Sequence, residues 1–223
     1  MTLESSKTLG GIGALLIFIC GILFFVSFFS VAALLQYLWL IGLVGVILLL
    51  IALHDFGNIY KEKGIFNNAV YGVAAAIVGG IVTAVITLAV VLANVQTIVT
   101  QFFPDWNGTL SSLQGMVPST SQFDPSSLLP LIAGILVVLV IVWIFAIIAA
   151  FFVWRSLKQF SNKSSVGLFG TAGLILLIGA IIPVIGIFLM WISALILAIA
   201  FFTLKPQEPP MQPMMPPSPS TTV

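Results

Sequence analysis

The stretch TLGGIGALLIFICGILFFVSFFSVAALLQYLWLIGLVGVILLLIAL, residues 8–53, holds 46 consecutive residues without a charge. As one helix it would measure about 69 Å at ~1.5 Å per residue, whereas the hydrocarbon core of a bilayer is ~30 Å thick. It therefore predicts two membrane crossings joined by a tight return near residues 30–36, with Tyr37 and Trp39 in an interfacial aromatic belt. A signal peptide cleaved near Ser30 is the alternative, but the apolar run before it is longer than the usual ~7–15 residues.

The composition of the whole chain agrees with this interpretation. Of its 223 residues, 61% are hydrophobic and 6% are charged, whereas soluble domains carry about 25% charged residues. A protein of this composition exposes a largely apolar surface that lipid solvates, so we expect the lipid bilayer to be its partner. A net charge of +1 leaves no basic face for nucleic acid. The single cysteine, Cys20, forms no internal disulfide.

Further charge-free runs extend the count of spans. The last run, residues 164–204, suits two crossings because Pro183-Val-Ile-Gly186 is a turn signal within it. A single long kinked helix there, and hence five spans, is the competing interpretation. A β-barrel is excluded because the runs are continuous rather than alternating. The predicted fold of residues 1–204 is an all-α polytopic transmembrane helix bundle with six spans, at about residues 9–29, 36–53, 70–95, 129–154, 166–182 and 185–204.

The distribution of basic residues predicts the orientation. In the six-span arrangement every Lys and Arg falls on one side of the membrane, and the loops on the other side carry none. Both termini are therefore predicted to be cytoplasmic (N-in/C-in). The seven residues are Lys7, Lys61, Lys63, Arg155, Lys158, Lys163 and Lys205.

Two polar segments lie outside the predicted spans. The external loop, residues 96–128, contains the N-glycosylation sequon Asn107-Gly-Thr109. The cytoplasmic tail, residues 205–223, has seven prolines and is predicted to be disordered and to lean towards polyproline II. Pro206-x-x-Pro209 has the spacing read by groove-binding domains, which makes a protein partner the alternative to a plain spacer. Metal binding by the tail methionines is a more distant alternative.

The predicted spans lack the groups that membrane chemistry uses. None of their cores contains Asp, Glu, Lys, Arg or His. The spans therefore lack the ionisable residues that a proton relay or an intramembrane protease requires. A zinc site needs three or four ligands, and His54 and Cys20 lie on different spans. We expect no enzyme activity, no catalytic residues, no metal and no cofactor.

A stripe on the third span is the first candidate site. Gly80, Thr83, Thr87 and Asn94 recur at helical spacing, so they share one face. Close packing against another helix is the ordinary interpretation. The more specific hypothesis is that this stripe lines a pathway for a small polar solute.

A polar cluster at the cytoplasmic end of the second span is the second candidate. It comprises His54 and Asp55, followed by Tyr60. These residues predict either a wetted helix end with interfacial anchors or a headgroup site in which His54 responds to pH. The pattern favours the first interpretation.

Three short motifs resemble one known family. They are residues 6–14 (SKTLGGIGA), residues 65–69 (IFNNA) after Tyr60-Lys61, and residues 168–173 (LFGTAG) leading to Ala200-Phe-Phe202. The chain resembles an uncharacterised, chiefly archaeal, prokaryotic family of integral membrane proteins classed as a domain of unknown function. The resemblance covers about residues 5–204 and implies a cell-membrane location without a functional label. The expected function is a non-enzymatic interaction or scaffold role in the cell membrane, and the alternative is a small-solute channel or transporter along the third span.

Overall fold

The computed structural model describes residues 3–27, 38–103, 106, 109 and 125–205. These residues form helices and no strand, which confirms the all-α prediction. A short 3₁₀ turn, Pro125–Leu128, leads into the fourth helix. The α helices are α1 (Leu3–Ser27), α2 (Leu38–Ile59), α3 (Lys63–Phe102), α4 (Leu129–Ser164), α5 (Gly167–Ile181) and α6 (Ile185–Thr203).

The lengths of the helices identify an integral membrane protein. In the described ranges, five helices are long and apolar enough to cross a bilayer, whereas α5 is a shorter apolar helix of 15 residues. At ~1.5 Å per residue α5 measures about 22 Å. Six crossings therefore depend on α5 and stay a prediction, as does the cytoplasmic placement of both termini.

The chain reverses between α5 and α6. Phe169 near the start of α5 and Phe201 near the end of α6 have ring centroids 4.9 Å apart, so the two helices run antiparallel. α5 ends at Ile181, shortly before Pro183, which lacks an N–H. Val184 has a φ of 66° in the turn that precedes the first residue of α6. The predicted turn is confirmed, and a single kinked helix over this run is wrong.

The helices pack in chain order around the bundle. Each helix lies against its neighbours in sequence, and α1 closes the arrangement by packing on α6. Glycine permits close approaches between these helices: a Cβ on Gly13 of α1 would lie 2.8 Å from the carbonyl oxygen of Gly45 on α2. Such small residues are the usual means by which membrane helices approach each other.

The best-buried part of the bundle lies at its charged end. Each helix contributes at least one side chain with no exposed surface, in a region that also holds the Lys and Arg residues. These side chains are Ser6, Phe56, Ile65, Phe160, Phe169 and Phe201.

At the opposite end α3 and α4 are more exposed than the other helices. Their 40 and 36 residues measure about 60 and 54 Å as helix. Away from the charged end these helices pack on each other, with Gly79 against Phe145 and Gly134 against Val90. Large apolar side chains on the outer face of α3 stay exposed, such as Val85 at 63%.

Candidate functional site

A cluster of four phenylalanines fixes the charged end of the bundle. Phe160 of α4 lies at the centre, with its ring centroid 4.7 Å from Phe56 of α2 and 4.2 Å from Phe169 of α5. Phe201 of α6 closes the cluster against Phe169, 4.9 Å away. A Cβ on Gly10 of α1 would collide with the Phe201 ring, so glycine at this position lets α1 approach. We call these four rings the phenylalanine cluster.

A carboxylate joins α1 to α2 beside this cluster. The buried Ser6 hydroxyl donates a hydrogen bond of 3.0 Å to Oδ2 of Asp55. The other carboxylate oxygen lies 3.5 Å from Nδ1 of His54, whose side chain is 53% exposed. The sequence-predicted pair His54 and Asp55 is thus in contact. Asp55 serves as a link between helices, because a buried polar group needs such partners.

Tyr60, the third residue of the predicted polar cluster, faces inwards instead. Its ring lies 5.9 Å from Phe160 and 6.2 Å from Phe56. Burial raises the pKa of the Tyr60 phenol above its ordinary value of 10.0, because the charged phenolate is poorly solvated there. Tyr60 therefore extends the phenylalanine cluster, and a headgroup site that includes His54 and Asp55 stays a prediction.

Polar side chains also join α3 to α4 at this end. The buried Ser156 hydroxyl donates to the carbonyl oxygen of Ile65. The Asn68 amide nitrogen donates to its own helix at Gly64 and to Oε1 of Gln159, at 2.7 and 3.2 Å. Within the described residues, every buried side-chain nitrogen or oxygen has a hydrogen-bond partner.

The start of α1 and the end of α6 also meet at the charged end of the bundle. Nζ of Lys7 donates a hydrogen bond of 2.7 Å to the carbonyl oxygen of Leu204. That carbonyl lies just beyond α6, where a cation is favourable because the final carbonyls carry partial negative charge. Leu204 is buried and Lys205 is exposed. The C-terminal tail therefore departs from a fixed point on the bundle surface.

A groove opens between α2 and α3 at the same end. Its volume is about 270 Å³, and it is lined by Ile47, Leu50, Ile51, His54 and Phe66. His54 and Phe66 meet edge to face across it, with ring centroids 5.0 Å apart. The walls are apolar apart from His54.

The predicted stripe on the third span lies only partly between helices. Thr83 and Asn94 are half-buried, whereas Thr87 is exposed and nothing lies within 4 Å of a Cβ placed on Gly80. The amide nitrogen of Asn94 donates to Val90 of its own helix at 2.8 Å.

The close contact between α3 and α4 uses a different face. A Cβ on Gly72 would lie 3.0 Å from the carbonyl oxygen of Ala149. A Cβ on Gly79 would lie 2.5 Å from Cβ of Phe145. Sequence reasoning missed this face, although the seven-residue spacing of Gly72 and Gly79 signals it.

Two other predictions fall largely outside the described residues. Asn107 is among the residues that the structure does not describe, and so are residues 206–223 of the tail. In the described ranges, no three His, Cys, Asp or Glu side chains lie close enough to hold a metal ion.

Comparison with known proteins identifies a family. A family model described as "Protein of unknown function (DUF996)" matches residues 41–202. This match confirms the resemblance to a family of unknown function within those residues, and it carries no information on archaeal distribution. No curated protein and no solved structure matches the chain.

Proposed function

Because this chain belongs to the family of unknown function DUF996, we propose its role from its own geometry: a non-enzymatic scaffold of the cell membrane. In this role the bundle holds a protein partner through the C-terminal tail. The proposal rests on one observation, the fixed point from which the tail departs. Leu204 is buried and Lys7 binds its carbonyl oxygen, so the tail is tethered to a rigid base rather than to a loose helix end.

The sequence of the tail supplies the chemistry for a partner. Seven prolines within residues 205–223 favour an extended polyproline II conformation, which domains with aromatic grooves bind at little entropic cost. Its two charges, Lys205 and Glu208, offer little long-range attraction. We therefore expect recognition by proline contacts, with weak dependence on salt concentration.

Affinity capture from the native membrane tests the proposal. The full chain is compared with a chain ending at residue 205 and with a full-length chain whose residues 206–223 are rearranged at constant composition so that no Pro-x-x-Pro spacing remains. We expect partners that bind the full chain to be absent from both variants. Equal recovery with the scrambled tail, or recovery of the same proteins by the truncated chain, would refute tail docking.

The alternative function, a small-solute pathway along α3, calls for its own measurement. Flux of small polar solutes into proteoliposomes is compared between the native protein and the variants Thr83→Val and Asn94→Leu. A transporter of this kind predicts flux that falls in both variants. We favour the scaffold because Thr87 and Gly80 of the proposed pathway face away from α4.

A further inference from the structure

The groove between α2 and α3 changes in polarity along its length. On α2, Ile47, Ile51, His54 and Asn58 follow one another at spacings of four, three and four residues, which places them on one helical face. Ile47 lies about 10 Å from His54 along the axis, at ~1.5 Å per residue. The apolar end of this face points towards the middle of the membrane, and its polar end points towards the charged end of the bundle.

The wall of the groove that α3 forms also changes from apolar to polar towards the charged end of the bundle. Phe66 contacts the His54 ring, and Lys63 lies one turn nearer to the charged end on the same face of the helix. Lys63 and Asn58 are both exposed. The groove is therefore apolar within the hydrocarbon layer and carries hydrogen-bond donors at the level of the headgroups.

The charge at the mouth of the groove is positive. In the described part of the chain, Glu62 pairs with Lys163 at 3.5 Å. Asp55 is engaged by Ser6 and His54. Lys61 and Lys63 are exposed, and they form no ion pair with any described residue. Two unneutralised ammonium groups thus flank the polar end of an apolar groove.

We propose that this groove binds one anionic glycerophospholipid, with a hydrocarbon chain against Ile47, Ile51 and Phe66 and its phosphate against Lys61 and Lys63. An anionic lipid matches both ends of the groove, since basic sites between membrane helices at the cytoplasmic face bind acidic headgroups. An extended protein segment would have to leave its backbone groups unsatisfied beside the apolar walls, and a groove of about 270 Å³ is too small for a helix that is about 10 Å across. The proposal is independent of the scaffold function, because no tail residue takes part.

Native mass spectrometry of the full-length protein tests the proposal. The protein is purified in detergent with equal amounts of phosphatidylglycerol and phosphatidylcholine bearing the same chains. We expect the native protein to retain phosphatidylglycerol preferentially. In the double variant Lys61→Gln/Lys63→Gln this preference should fall by about 25-fold, since each basic residue near an anionic surface contributes a factor of about five.

A matched variant separates this site from general attraction to basic residues. Arg155→Gln/Lys158→Gln removes the same charge from exposed residues of α4 that do not line the groove. We expect it to retain phosphatidylglycerol as the native protein does. Equal losses in the two double variants, or equal retention of both lipids by the native protein, would overturn the proposal.

A second pair of variants tests the apolar part of the groove without changing charge. Ile51→Trp fills the groove and should reduce lipid retention several-fold, whereas Leu139→Trp adds the same side chain to an exposed position on α4. Undiminished retention by Ile51→Trp would show that no lipid chain occupies the groove. Because both positions are partly exposed, neither tryptophan has to enter the core.

Discussion

Replacement of Gly13 by alanine tests whether α1 and α2 are held at backbone contact. A Cβ on Gly13 would lie 2.8 Å from the carbonyl oxygen of Gly45 and 2.9 Å from the backbone nitrogen of Leu49. Both are backbone atoms, so no rotamer change relieves the collision. Gly80 of α3 provides the matched control, because a Cβ there meets nothing within 4 Å.

The magnitude follows from two opposing effects. Replacing a helical glycine by alanine favours the helix by roughly 1 kcal/mol, and this gain applies at both positions. At Gly13 it is opposed by overpacking, which destabilises a close-packed contact by about 1–3 kcal/mol. The helices would have to separate by roughly half an ångström to restore ordinary contact distances. We therefore expect Gly13→Ala to be about 1–3 kcal/mol less stable than Gly80→Ala.

Equilibrium unfolding of the purified variants in one detergent measures this difference. The native protein, Gly13→Ala and Gly80→Ala are titrated with denaturant under identical conditions, and the free energies of unfolding are compared. Gly45→Ala should reproduce the effect of Gly13→Ala, since its Cβ would lie 2.8 Å from the Gly13 carbonyl oxygen. Equal stability of Gly13→Ala and Gly80→Ala would refute the inferred contact between the two backbones.

Two further predictions concern the charged end of the bundle. Ser6→Ala deprives the Asp55 carboxylate of a buried donor, so the free energy of unfolding should fall by about 1–3 kcal/mol. Thr8→Ala, which removes an exposed bond within α1, should change it by no more than about 0.5 kcal/mol, and equal effects would contradict the assigned role of Asp55. The pKa of Tyr60 is raised in the folded state, so folding favours its neutral phenol. The stability that depends on the neutral phenol is fully present below pH 10.0 and is lost as the pH rises through the folded-state pKa. Tyr60→Phe should therefore flatten the decline of Tm above pH 10.0, and an unchanged decline would show that Tyr60 is not the group responsible.

The amino-acid sequence predicts the helices of this bundle well because lipid imposes a simple rule. A backbone inside the hydrocarbon must satisfy its own hydrogen bonds, so each long apolar run becomes a helix, and Pro183 marks the one reversal within the last run. The predicted third and fourth spans are shorter than α3 and α4, which extend to Lys63–Phe102 and Leu129–Ser164. Hydropathy detects only the apolar part of a helix, whereas the helix itself continues into polar residues at the interface.

The residues that make the site are harder to predict from the sequence. Periodicity identifies a face of α3, but it does not reveal which helix covers that face. Gly79 and Gly80 are adjacent in sequence, yet a Cβ would collide with Phe145 at Gly79 and would meet open space at Gly80. The phenylalanine cluster is likewise distributed over α2, α4, α5 and α6. Its members cannot be told from the other phenylalanines until the helices are placed together.

The location of the core bears on how the protein works in a membrane. Lipid gives little drive for apolar helices to leave it, so association depends on close packing and hydrogen bonds. Both occur at the charged end, in the phenylalanine cluster and in the bonds made by Ser6 and Ser156. Among the described residues, the outer parts of α3 and α4 pack mainly on each other. The lipid and partner binding that we propose at the charged end would therefore act on the best-buried part of the described bundle.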